Sequence, residues 1–440
     1  MKQIISILMA GIMIAGFFLA ITPDVKAAPS LNEIRVDSDV ALALEANNGD
    51  GTLGNPWVIE NRVISGYGQS CGIYIGNTTD YFVIRNCTIN ATTANYDEWH
   101  TGAGIHIYNC DNGEISNTTV NHSISYGIYL SDQTTTIVIA NNSIWNCTLR
   151  AIAVSYSDNC LFYMNDLDGN YTSNFGMSFD GYSDFHVIEK NTIDGMNWVG
   201  IGCNDTWNMS ITDNEITGFN YTLGPDTWYG PYVGIFMWNS EFILASDNRV
   251  TNCTVGMNFT STSANSLVWD NIVSADTTNP ANTAGIMVYD ITNITFWNNT
   301  VVFFDFNALD PLGEGTWNNA AMGNRWGDYT GSDTDGNGIG ETPYLFTNNV
   351  DNLPLCIPYT TPVIVPGGGI PYVYTPIIPA VTDDGPDTTF DFTLTWLFWV
   401  GIAALIIGMF KIPIPYIGKF IIPHMWVIIG ICAILLNFVW

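Results

Sequence analysis

Basic residues are scarce: the 440-residue chain carries 11 Lys plus Arg against 41 Asp plus Glu, a formal charge of −30. Nucleic-acid binding draws on clustered cations that displace counterions from phosphates, so that class of partner is excluded. Charge of either sign is low at 12% of residues, while hydrophobic types reach 47%. The chain therefore has material for a large core and falls outside the disordered class. Its polar surface must come from Asn, Thr and Ser. Helical periodicity is missing from the middle of the chain, as are Cys-x-x-Cys pairs and the Gly-His-Gly signature of polygalacturonase-type hydrolases.

A repeat takes the place of helical periodicity. A short Gly-apolar-x-apolar segment recurs with its small residue at Gly72, Gly104, Gly127, Ala151, Gly176, Gly200, Gly234, Gly256 and Gly285, at intervals of 22 to 34 residues. A second apolar landmark follows 11 or 12 residues on, at Ile84, Ile115, Ile139, Phe162, Ile188, Ile211, Ala245, Val268 and Phe296. A third stands five residues later, at Ile89, Val120, Ile144, Leu167, Ile193, Ile216, Val250, Val273 and Val301. Three short strands per turn of about two dozen residues is the pattern of a parallel β-helix, here of about nine to ten coils. Two residues before the third landmark, seven of the nine coils carry asparagine: Asn142, Asn165, Asn191, Asn214, Asn248, Asn271 and Asn299. Asparagine tolerates left-handed backbone and its amide can bond to the coils on either side, so this column is expected to be structural.

Three longer segments resemble a known family. They are Asn48-Gly-Asp-Gly-Thr-Leu-Gly-Asn-Pro-Trp-Val-Ile-Glu-Asn61, Tyr81-Phe-Val-Ile-Arg-Asn86, and the close Asn324-Arg-Trp-Gly-Asp-Tyr329 with Asp333-Thr-Asp-Gly-Asn-Gly-Ile-Gly-Glu-Thr-Pro-Tyr344. They resemble the NosD-like right-handed parallel β-helix surface proteins common in archaea, over roughly residues 30–350. The resemblance implies a pectin-lyase-like all-β solenoid and an exported, often carbohydrate-associated protein. No copper role follows from it, because such coils serve many functions.

The ends of the chain read as export and anchoring. Lys2, the apolar run 4–21 and the small residues before Ala28 make residues 1–27 a signal peptide. Apolar stretches 394–410 and 420–440 predict a transmembrane helical hairpin within 392–440, its connection holding Lys411 and Lys419 and facing the cytoplasm. Residues 351–391, with a proline every few positions from Pro354 to Pro379, predict an extended stalk. The β-helix, 28–350, is then expected on the extracellular face of the cell membrane.

Longer gaps between the third landmark and the next coil, of 15, 18 and 12 residues, follow the first, sixth and eighth coils. All three insertions leave from one corner, where repeat arrays place their working surfaces. The first carries Tyr96, Asp97, Glu98, Trp99 and His100; the sixth carries Asp226, Trp228, Tyr229 and Tyr232. Aromatic faces beside acceptors suit sugars, so Tyr96, Asp97, Trp99, Asp226, Trp228, Tyr229 and Tyr232 are the expected glycan-binding residues. The alternative is that these rings only pin the loops to the coils. The acid pair Asp168 and Asp194, stacked in adjacent coils, would be the best candidate for glycosidase chemistry, but each precedes a glycine and an Asp-Gly turn explains it. No catalytic residue is assigned, and no organic cofactor.

Asp333, Asp335, Asn337 and Glu341 place oxygen side chains at alternating positions among glycines, like the front half of a calcium loop. Tyr344 stands where a bidentate glutamate would close such a loop. A structural Ca²⁺ fastening the open end of the helix is expected. His106 points outward between Tyr74 and Tyr129 in adjacent coils and could join a binding face. The coil cysteines read as buried small hydrophobes. Fifteen Asn-x-Ser/Thr sequons between Asn77 and Asn298 make partial glycosylation plausible on export.

Overall fold

A computed structural model describes residues 33–65, 71–90, 92, 102–218, 232–261, 264–275 and 283–356. The expected export segment, stalk and hairpin lie outside these residues, as does the whole of a second compact unit running from Pro362 to Trp440. Among the described residues no helix is long and apolar enough to cross a membrane.

The first unit is a solenoid of three parallel sheets of 11, 10 and 11 strands, in which each strand pairs with its counterpart in the next coil. The three landmark columns coincide with the sheet register. Ile73, Ile105, Ile128, Ile152 and Met177 are direct partners along the first sheet. Ile84, Ile115, Ile139 and Phe162 are partners along the second, and Ile89, Val120, Ile144 and Leu167 along the third. All are fully buried, so strand alternation stacks like on like along the bore.

The small residue of each first strand has a steric cause. A Cβ on Gly72 would lie 2.4 Å from Cγ2 of Ile89, and one on Gly104 would lie 2.2 Å from Cγ1 of Val120. The β-branch of the third landmark thus occupies the space above the glycine of its own coil. The one coil with alanine, Ala151, is also the one whose third landmark is leucine, Leu167. Leucine branches one carbon further out and leaves room for a methyl.

The asparagine column forms a continuous ladder. From Asn142 to Asn299, each asparagine donates its backbone N–H and its side-chain amide to Oδ1 of the next, at 2.9–3.1 Å. The same amides donate to the second-landmark carbonyl of the coil before, for example Asn191 to Phe162 at 3.0 Å. Two features correct the sequence reading. The left-handed residue is the one before each rung: Asn86, Asn117, Asn141, Met164, Lys190, Asp213, Asp247, Asp270 and Asn298 have φ between 48° and 58°. And the ladder runs on past the repeat, from Asn299 to Asn324 and then to the buried carboxylate of Asp351.

Both ends are closed by side chains. Helix α1 (Asp39–Glu45), N-capped by Ser38, lays Leu42 over the first coil. At the other end Trp317 stacks on Phe296 at 4.4 Å, and Trp326, Tyr344 and Phe346 complete an aromatic plug. The last coil is covered by these rings, so this end is not left open, and the Asp333–Glu341 turn is tied to the outgoing chain, by Gly340 to Pro354 (2.8 Å) and Cys356 to Gly338 (2.9 Å).

Candidate functional site

Of the residues expected to bind glycan, Tyr96, Asp97, Trp99, Asp226, Trp228 and Tyr229 lie outside the described residues. Tyr232 is described, and it is not a surface ring: it is 3% exposed and belongs to the core. A Cβ on Gly218 would lie 2.6 Å from its ring, so that glycine makes the slot it fills. Burial pushes its phenol well above the usual tyrosine range. His106 is also buried, its ring stacked on Tyr129 at 4.8 Å and its Nε2 2.9 Å from Ser131 Oγ, so it is packed into the outer layer of the first sheet rather than presented to a ligand.

Asp168 and Asp194 are register partners on the outer face of the third sheet, with Asp166 beside them. Each accepts from a nearby backbone N–H at 2.7 Å, Asp168 from Asn170 and Asp194 from Gly195, the latter glycine at φ 66°. Partial burial raises the Asp194 carboxyl, with Asp168 and Asp166 adding to it; Asp166 is raised by burial and by Asp168. The geometry of the pair is that of two turns.

The described cysteines are free, and those of the coils are buried. Burial pushes the thiols of Cys110, Cys147 and Cys160 up to about 12, which keeps them protonated and unreactive. In the cap turn, Asp333, Asp335 and Glu341 each bring a carboxylate oxygen within 4.8 Å of the others, a donor set that fits a hard divalent cation. Asp333 also accepts from the N–H groups of Gly336, Asn337 and Gly338 at 2.8–3.0 Å. Asn337 Oδ1 accepts from Ile339, and Glu341 is held below the usual range by hydrogen bonds from Thr334.

The surface feature that sequence reading missed lies at the corner joining the first sheet to the second. Tyr156, Tyr182, Trp207, Trp238, Phe242 and Tyr289 stand there in coils four to seven and nine, each 39–67% exposed. Three of them sit in left-handed backbone, Tyr156 at φ 51°, Tyr182 at 61° and Phe242 at 57°. Elsewhere on the same corner such positions are filled by Asn77, Asn109, Asp205 and Asn239. Bulky residues in that region cost roughly 1 kcal/mol or more each. The Tyr156 ring lies over the next coil, where a Cβ on Gly181 would meet it at 2.9 Å. Asp158, Asp184 and Glu241 lie on the same corner, and Trp207 is in register with Glu241.

The family model described as "Right handed beta helix region" matches residues 43–180, 71–230 and 176–321. No curated protein matches the chain. Among solved structures, the A-module of mannuronan C-5 epimerase AlgE4 of Azotobacter vinelandii is similar at 13% identity and a TM-score of 0.41, covering 61% of this chain and 86% of that one. DFA-IIIase from Arthrobacter chlorophenolicus A6, in complex with DFA-III, is similar at 11% identity and 0.39, covering 59% and 68%. The enzymatically active domain of tailspike protein 2 of bacteriophage CBA120 is similar at 12% identity and 0.37, covering 67% and 46%. Likenesses of this degree carry no assignment of function.

Proposed function

Since the chain belongs to the right-handed β-helix family, whose fold alone fixes no activity, we propose from its surface that it is a non-catalytic glycan-binding protein of the cell exterior. The observation that carries this reading is the row of six exposed aromatic rings, three of them in left-handed backbone, beside Asp158, Asp184 and Glu241. Rings that cover the apolar face of a sugar while neighbouring oxygens accept from its hydroxyls are the usual means of holding one. The stacked acids Asp168 and Asp194 are committed to turns and lie on a different sheet. The insertion residues Tyr96, Trp99, Trp228 and Tyr229, which lie outside the described residues, belong to the same proposal.

Retention of the full-length protein on immobilised polysaccharides, with reducing ends counted in parallel, tests it. Retention without new chain ends is expected, and the double variant Tyr182→Ala, Trp207→Ala should weaken it about 30-fold, two ring contacts at roughly 1 kcal/mol each. New chain ends, or retention unchanged in that variant, would overturn the reading. Placement outside the cell, through residues 1–27 and an anchor at 392–440, belongs to the same proposal. Labelled polysaccharide should then bind intact expressing cells, and proteolysis of those cells should abolish it.

A structural Ca²⁺ held by Asp333, Asp335, Asn337 and Glu341 is proposed as a clamp on the outgoing chain. Millimolar Ca²⁺ should raise the melting temperature by about 3 °C over chelator, because a ligand bound only to the folded state stabilises it. The double variant Asp333→Asn, Asp335→Asn should lose that rise; an equal rise in the variant would refute the clamp.

A further inference from the structure

We propose that the corner between the first and second sheets is a track for one uncharged glycan chain, extended along the solenoid axis with about one sugar ring per coil. This rests on the glycan-binding reading above and names the ligand's charge, direction and length.

The direction follows from the order of the rings. Tyr156 belongs to the fourth coil, Tyr182 to the fifth, Trp207 to the sixth, Trp238 and Phe242 to the seventh, and Tyr289 to the ninth. The corner runs the length of the solenoid and the rings are spread over several register columns of it: Trp238 and Tyr289 share the column of Asn204 and Thr260, while Trp207 pairs with Glu241, so they form a band along the axis rather than a single file. Successive coils rise by about 4.8 Å, and the row spans about 24 Å. That step is close to the length of a pyranose ring in an extended chain. A ligand lying across the axis would meet one or two rings; a ligand along it meets them in turn.

The fit is preformed. Tyr156 rests over Gly181, where even a methyl would meet its ring. Trp207 is anchored at its backbone N–H by Asp184 Oδ1 at 2.6 Å, and Asp184 is itself bound through its N–H to Asp158 Oδ1 at 2.9 Å. A ring packed on the next coil, and a backbone held in this way, lose little freedom when a ligand arrives.

The charge follows from what flanks the rings. Asp158, Asp184, Asp205, Glu241 and Asp290 lie along this corner, and none of the described lysines and arginines belongs to it. The Arg150 guanidinium, on the adjoining sheet, is taken up by Asp180 at 2.6 Å. A polyuronate would be repelled along the whole row, whereas the hydroxyls of a neutral chain find acceptors.

Calorimetric titration of the full-length protein in a non-glycosidic detergent separates the possibilities. The probes are cello-, xylo-, manno- and maltooligosaccharides of two to eight units, with oligogalacturonates of the same lengths. One neutral series should gain about threefold in affinity per added ring up to about six rings and then level off. Raising salt from 50 to 500 mM should leave it unchanged. Trp207→Ala should cost the six-unit ligand about tenfold, measured at a temperature where that variant is fully folded. Affinity already complete at two rings, or binding of oligogalacturonate in preference, would overturn the track while leaving glycan binding in place. If none of the series binds, glycan binding falls with it.

Discussion

Replacing Asn191 by leucine should lower the unfolding free energy by about 3–5 kcal/mol, although leucine keeps the volume of the rung. The asparagine is buried, and its Oδ1 accepts from both the backbone N–H and the side-chain amide of Asn165, at 3.0 and 2.9 Å. Its own amide donates to the carbonyls of Phe162 and Glu189 and to Oδ1 of Asn214. Leucine would leave the Asn165 N–H and the Phe162 carbonyl without these partners, at roughly 1–3 kcal/mol for each buried group. Asn191→Thr should recover about half of the loss. The second coil already uses that substitute: Thr118 Oγ1 accepts from the Cys87 N–H at 3.3 Å and donates to the Ser116 carbonyl at 3.0 Å. Urea unfolding followed by tryptophan fluorescence reads the effect. A break at the middle of a nearest-neighbour array should also separate the transition into two steps. A loss below about 1 kcal/mol would mean that the ladder follows the coils rather than holding them.

The coils were legible in the sequence because each landmark answers to one local demand. Gly72 and Ile89 share one space, so a small residue and a branched one recur at a fixed separation. Asn142 to Asn299 repeat because each rung needs a side chain that both donates and accepts. The left-handed position escaped because Met164 and Lys190 occupy it as well as asparagine and aspartate, so composition gives it no uniform mark. Tyr232 was misplaced for a different reason. Its neighbours Asp226, Trp228 and Tyr229 make it look like part of a loop, while the slot over Gly218 that swallows it is formed by a residue of the coil before. The aromatic corner was invisible because its rings stand at no common offset from the landmarks. Tyr156 follows Ala151 by five residues, Tyr182 follows Gly176 by six, and Trp207 follows Gly200 by seven. Only the folded corner gathers them on one edge of the solenoid.

At the far end of the ladder, Asp351→Ala should cost about 3 kcal/mol at neutral pH. The carboxylate is fully buried and unaccompanied by any described cation. Its Oδ2 accepts from the Asn324 N–H at 2.7 Å and Trp326 Nε1 at 3.0 Å, and its Oδ1 from the Leu353 N–H at 3.0 Å. Gly323 leaves the space it occupies, since a Cβ there would lie 1.9 Å from Oδ1. Alanine would orphan three N–H donors at once, the last ladder rung and the tryptophan of the plug among them. The pH dependence carries its own sign. Burial raises this carboxyl above the ordinary aspartate value of 3.8, with the hydrogen bonds from Asn324, Leu353 and Trp326 opposing the rise. The folded state therefore holds the proton more tightly than the unfolded chain. Protonation favours folding fully below the ordinary value, and that advantage is lost as pH rises through the raised one. Asp351→Asn cannot titrate. The stability of the native protein relative to this variant should be greatest in acid, fall by up to about 1.4 kcal/mol per pH unit between the two values, and stay level above them. Paired denaturation midpoints from pH 3 to pH 7 measure that difference directly, free of the other carboxylates common to both proteins. A flat difference would mean that the donors around Asp351 offset its burial completely, and that the ladder ends on a carboxylate at no cost in charge.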